Sequence, residues 1–112
     1  MIVEDEALIA LSLEDTFRDT GYDIVGPFSS CADALAALAL AAPDVAIVDA
    51  TLSDGPCLEL ARELRRRGVP FIIYSGREAY DDHPPELEGV PWIEKPAAPE
   101  KVLRETGSLI GK

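Results

Sequence analysis

Four places in this chain put polar side chains directly behind a short apolar run. Glu4 and Asp5 follow Ile2-Val3, Asp49 follows Val45-Ala46-Ile47-Val48, Ser75 follows Phe71-Ile72-Ile73-Tyr74, and Lys95 closes Val90-Pro91-Trp92-Ile93-Glu94. If folding brings them together, the acids cannot simply sit side by side. Two carboxylates ~4 Å apart repel by about 4 kcal/mol at an effective dielectric near 20, so such a cluster needs a proton or a cation. A donor set of hard oxygens with room for water suits Mg²⁺. Lysine adds a compact positive charge that can meet a phosphate oxygen, and serine adds a hydroxyl. The chemistry that uses all of these is a phosphoryl group attached to, or arriving at, a carboxylate; aspartate can accept one by attacking phosphorus. Helix capping is the competing explanation for Glu4-Asp5-Glu6, because acids before a helix meet its free N–H groups and complement its dipole.

The elements that must position these residues are legible as two alternating textures. Residues 2–3, 22–28, 45–49, 71–75 and 90–94 read as strands, and the runs without a polar residue match strands covered on both faces of a parallel sheet. Between them lie helical periods: Ile9, Leu13 and Phe17; Leu35 and Leu38; Leu58, Ala61 and Leu64; and Val102, Thr106 and Leu109. Alternating strands and helices predict right-handed βαβ units and one parallel sheet. In open sheets of this kind, chemistry collects beyond the carboxyl ends of the strands, the edge where all five polar residues emerge. The crossover after "FIIYSG" is the exception, because Pro84 and Pro85 cannot sit inside a regular helix. It is expected to be short or irregular, with His83 as a solvent-facing loop residue.

One domain is expected over residues 1–112, with no repeat and no linker. The net charge of −11 repels phosphate backbones and argues against direct nucleic-acid binding. No apolar run approaches the ~20 residues of a membrane span, and no signal peptide is visible, so a soluble cytoplasmic chain without membrane insertion is expected. Arg65, Arg66 and Arg67 read as cations offsetting the negative end of a helix dipole. Cys31 and Cys57 read as small buried apolar residues in a reducing compartment. The first strand is short before its acids, which reads as a missing N-terminal piece.

The acidic pair in "VEDE", the Asp of "VDATLSDG", the Ser of "YSG" and the Lys of "EKP" together resemble the receiver domain of two-component response regulators, along essentially the whole chain. The resemblance implies a flavodoxin-like (βα)5 three-layer sandwich with parallel sheet order 2-1-3-4-5, the fourth helix being short or irregular. It implies that Asp49 takes a phosphoryl group from a phosphohistidine on a histidine kinase or histidine phosphotransfer protein. Asp5, Asp49 and the carbonyl of Thr51 would bind Mg²⁺, with Glu4 acting through water. Ser75 and Lys95 would hold the phosphoryl oxygens, helped by the N–H groups of Ala50 and Gly76. Ser75 and Trp92 would form the switch that controls a downstream protein or a fused output domain. The domain would be no enzyme in the ordinary sense, but would assist its own phosphorylation and dephosphorylation. The Lys95–Pro96 bond is expected to be cis, and Asp54 to cap the helix after the Asp49 loop.

Some positions depart from the family pattern. Glu4 replaces the commoner Asp, Trp92 stands where tyrosine or phenylalanine is usual, and Ala97 replaces an aromatic. The proline-broken connection is similar to that of the alphaproteobacterial single-domain regulators, although their Ala-Thr-Gly is Tyr-Ser-Gly here. Two alternatives differ in kind. One is a Mg²⁺-dependent phosphatase with an aspartyl-phosphate intermediate, resembling the haloacid dehalogenases; it lacks their second Asp, since that position is Thr51. The other is an unphosphorylated receiver-like binding module, against which the intact polar set argues.

Overall fold

The uninterrupted apolar runs fold as strands buried on both sides. The computed structural model describes residues 1–40, 42–50, 52, 58–76 and 85–111. Within it β1 (Ile2–Val3), β2 (Ala46–Val48), β3 (Phe71–Ser75) and β4 (Trp92–Glu94) form a parallel sheet in the order β1-β2-β3-β4. Ile2 lies opposite Ile47, Ile47 opposite Ile72, and Tyr74 opposite Ile93. Every residue of β2 and β3 is buried, as strands covered on both faces require.

Helices supply the two outer layers. α1 (Ala7–Asp19) and α4 (Pro99–Ile110) cover one face, where Leu13, Phe17 and Val102 meet Ile2, Ile47, Ile72, Tyr74 and Ile93. α2 (Cys31–Leu38) and α3 (Leu58–Arg66) cover the other, packing Leu38, Leu60 and Leu64 on Val3, Val48, Phe71 and Ile73. The strand residues divide between the two faces by alternation, as the pleat dictates. Leu60 is fully buried although it lies outside the Leu58-Ala61-Leu64 stripe. Ser30 caps α2 by accepting the N–H of Asp33 at 3.1 Å.

The segment expected as the second strand runs along the free edge of β1 but makes only a single bridge, Val3 with Phe28. Ile2 N–H donates to Val25 O (3.0 Å), and Glu4 N–H donates to Phe28 O (2.8 Å). Between them a regular ladder would use the N–H of residue 27, and Pro27 has none. Phe28 N–H donates to Ile2 O instead, at 3.0 Å, which takes one extra residue. The insertion uses Gly26 at φ 104° and a cis Gly26–Pro27 bond. The edge segment, then β1 to β4, reproduces the expected order, with an interrupted first partner.

The irregular crossover is held from below by arginine. Among its described residues it forms one 3-10 turn, Pro85–Leu87, with Leu87 buried against the α3 face of the sheet. Arg65 Nε donates to Glu86 O at 2.8 Å and its Nη2 to Glu88 O, while Arg62 pairs with the Glu86 carboxylate at 3.2 Å. Arg67 Nη1 donates to Leu38 O at the end of α2 (2.7 Å), and Arg66 and Arg67 both bond Glu63. Arg65 and Arg67 therefore fasten neighbouring backbone to α3, a more specific task than offsetting a dipole. Cys31 is disulfide-bonded, which corrects its reading as a free apolar thiol. Cys57, His83, Pro84, Thr51 and Asp54 lie outside the described residues. Among the described residues no helix is long and apolar enough to cross a membrane.

A Cβ added to Gly26 would stand 2.7 Å from the Ile2 carbonyl oxygen, an atom fixed by Phe28, whereas one on Gly21 (φ 97°) would meet nothing within 4 Å. Both positions charge an L-residue about 1–2 kcal/mol for its positive φ. In denaturant melts Gly26→Ala should lose at least about 1 kcal/mol more stability than Gly21→Ala. Equal losses would show that the close approach of this edge to β1 contributes nothing.

Candidate functional site

Parallel strands deliver their last residues to one edge, and the site forms there. Asp49 follows β2 directly; its N–H donates to Val3 O at 2.9 Å, and it is 2 % exposed. Ser75 ends β3, fully buried, and its hydroxyl donates to Asp49 Oδ1 at 2.8 Å. Lys95 follows β4, and its N–H donates to Ser75 O at 2.8 Å, prolonging the β3–β4 ladder by one bond. Its ammonium lies 2.9 Å from Asp49 Oδ2, 2.7 Å from Glu4 Oε1 and 3.8 Å from Glu6 Oε1. Each oxygen of Asp49 thus meets a different donor, and one ammonium is shared by two buried carboxylates.

Burial governs the charges. It pushes the Glu4 carboxyl up to about 7 from an ordinary 4.5, and Asp49 adds to the rise, against the bonds from Lys95 and the Glu6 N–H. Burial alone would pull the Lys95 ammonium down, but its bonds to Glu4 and Asp49 outweigh this and hold it above its ordinary value. The lysine stays charged while Glu4 sits near neutrality.

Capping does not account for the N-terminal acids. Glu6 is the N-cap of α1, yet its side chain makes no capping bond. Glu4 Oε2 accepts the Glu6 N–H at 3.1 Å, and its other oxygen holds Lys95. Asp5 is partly exposed, and one ligand oxygen from each of Glu4, Asp5 and Asp49 fits within 4.8 Å of the others. These hard donors carry three formal negative charges against one lysine, so they fit a divalent cation such as Mg²⁺. Both oxygens of Glu4 and both of Asp49 already meet donors, so Asp5, the partly exposed member, is the most open to direct ligation.

Ala50 and Gly76 follow Asp49 and Ser75 directly, both partly exposed. The Lys95–Pro96 bond is cis, as expected. Trp92 lies on β4 opposite Ile73, half-buried on the α2–α3 face, away from the α1–α4 side. Thr51, the remaining expected ligand, is outside the described residues. One contributor escaped sequence reasoning: the Tyr74 ring lies 5.5 Å from Lys95 Nζ. A tyrosine within an apolar strand run carries no signal of this. A cavity of about 560 Å³ lies at the other end of the sheet, lined by Met1, Tyr22, Pro43 and Ile110 among others, and none of the five site residues borders it.

The chain is similar to proteins of known sequence and structure. DevR/DosR of Mycobacterium tuberculosis, a DNA-binding transcriptional activator, is 39 % identical over 67 residues, 59 % of this chain and 31 % of that protein. The chain thus spans about a third of the length of this curated relative. The solution structure of SdrG from Sphingomonas melonis Fr1 is similar with a TM-score of 0.82 at 29 % identity, covering 99 % of this chain and 93 % of SdrG. The receiver domain of the response regulator PhyR from Erythrobacter litoralis gives a TM-score of 0.81 at 26 % identity, covering 98 % and 88 % of the two chains. The sequence pattern of the response regulator receiver domain matches residues 1–106. That match takes in all four strands and their polar ends: the chain belongs to the response regulator receiver domain family, the phosphoacceptor signalling domains of two-component systems.

Proposed function

We propose that Asp49 is the phosphoacceptor of a receiver unit spanning residues 1–112. The observation that carries this reading is the pair of donors on its carboxylate, the Ser75 hydroxyl on Oδ1 and the Lys95 ammonium on Oδ2. A carboxylate oxygen attacks phosphorus of a phosphohistidine on a histidine kinase or phosphotransfer protein; the new O–P bond forms as the P–N bond breaks. Ser75 and Lys95 then turn from the carboxylate to the phosphoryl oxygens, joined by the N–H groups of Ala50 and Gly76. Asp5, Asp49 and the Thr51 carbonyl would hold Mg²⁺, with Glu4 behind a water; when bound it offsets the negative charge of the phosphoryl oxygens. The same groups let the domain assist its own phosphorylation and dephosphorylation.

Movement of Ser75 toward the new phosphoryl group frees the space it occupied, and Trp92 reports the change on the α2–α3 face. The partner is a downstream protein or a fused output domain, and the setting is the cytoplasm. No observation favours the phosphatase or the unphosphorylated module.

Incubation with acetyl phosphate and Mg²⁺ should add one phosphoryl group by intact mass and change Trp92 fluorescence, and Asp49→Ala should abolish both. Modification that persists in Asp49→Ala would move the acceptor elsewhere.

Mg²⁺ relieves repulsion among the acids and binds only the folded chain, so it should raise the melting temperature, by about 2.7 kcal/mol of stability at a hundredfold excess over its Kd. Asp5→Ala should erase most of that gain; an undiminished gain would place the ion outside this cluster.

Glu4 also sets a pH dependence. Between 4.5, its ordinary value, and about 7, the folded chain holds a proton that the unfolded chain has released. The stability this lends is complete below the unfolded value and is lost as pH rises to about 7. Mg²⁺ competes with that proton, so its half-saturating concentration should fall as pH rises through the window, by up to about tenfold per pH unit. Titrations followed by thermal shift should show this slope in wild type and lose it in Glu4→Gln.

A further inference from the structure

Lys95 can serve the acceptor only if the loop it stands on is held still. That loop, residues 95–98, passes from β4 to α4, where Ala98 is the N-cap and Pro99 the first helical residue. Tyr74, 4 % exposed, reaches it from the neighbouring strand. Its hydroxyl donates to Ala97 O at 3.0 Å and accepts the Ala97 N–H at 3.1 Å. Its ring lies beneath the lysine, 5.5 Å from Nζ to the centroid, within range of a cation–π attraction. One side chain therefore holds the loop backbone two residues past Lys95 and also touches the ammonium.

A buried tyrosine commonly finds some hydrogen-bond partner, so the bonds alone would mean little. Here both fall on a single backbone residue of the lysine loop. Packing does not duplicate them either, because a cavity of about 230 Å³ bordered by Leu13, Tyr74, Ala97 and Pro99 lies alongside. Once released, the loop has open space to relax into.

We propose that Tyr74 is a positioning residue for phosphoryl transfer, holding the Lys95 ammonium on the acceptor carboxylate through the loop and from beneath. This rests on the reading of Asp49 as phosphoacceptor. Tyr74→Phe keeps the ring and removes both hydroxyl bonds. Assayed well below its melting temperature, at saturating acetyl phosphate and Mg²⁺, it should form the Asp49 phosphate about tenfold more slowly than wild type, the scale of loss expected from a small misplacement of a charged group. In a Lys95→Gln background, the same substitution should cause no further loss, because the group it positions is gone. A wild-type rate in Tyr74→Phe, or an equal loss with and without Lys95, would overturn the proposal while leaving the acceptor in place. A wild-type chain that takes no phosphoryl group at Asp49 overturns both.

Discussion

Two buried carboxylates sharing one ammonium set the terms for the rest of the molecule. Asp49 and Glu4 are each almost wholly removed from water, and either one left uncompensated there would cost several kcal/mol. Lys95 meets both, and it comes from a distant part of the chain. It reaches them only because β4 lies beside β3, whose last carbonyl accepts the Lys95 N–H. Strand order and site electrostatics are one constraint: the sheet brings the charges together, and the charges tie the carboxyl edge of the sheet. The remaining excess of acid, with Asp5 at the solvent side, is what a divalent ion would meet.

Much of this was legible because the information is local. Continuous apolar runs marked β2 and β3, β3 spanning residues 71–75 as read, and the polar residues behind each run marked the site. What stayed hidden depends on backbone partners that no side-chain pattern encodes. The missing N–H of Pro27 is evident in sequence, but its transfer to Phe28 depends on where Ile2 O lies. Arg65 and Arg67 looked like dipole cations because their acceptors are main-chain carbonyls of Glu86 and Leu38. Leu60 was missed because a helix wedged against a sheet buries a wider stripe than a strict four-residue period marks. Tyr74 passed as an apolar strand residue for the same reason as the arginines: its partner is the backbone of residue 97.

The two aromatics near the site divide between the faces of the sheet. Tyr74 belongs to the α1–α4 side with Ile93 and Val102, and Trp92 to the α2–α3 side with Ile73 and Leu87. Each is one residue or one strand away from Ser75, which stands where β3 ends. The face under Lys95 is fastened, since the Tyr74 hydroxyl satisfies both groups of Ala97. Among the described residues, the cover that α2 and α3 give the opposite face is extended by a 3-10 turn, where Arg65 holds the carbonyls of Glu86 and Glu88. Exposed side-chain anchors of that kind hold less firmly than buried packing.

That asymmetry gives the fold a direction in which to respond. A rearrangement at Asp49 that displaced Lys95 toward the α1–α4 side would break two partly buried hydrogen bonds at once, each worth about 1 kcal/mol net. One that moved Ser75 and let Trp92 follow would disturb the arginine-held turn instead. The cheaper path leads to the α2–α3 face. On the reading of Asp49 as phosphoacceptor, Lys95 would need only to turn from the carboxylate to the adjoining phosphoryl oxygens, and the change in shape would be expressed on the other side of the sheet.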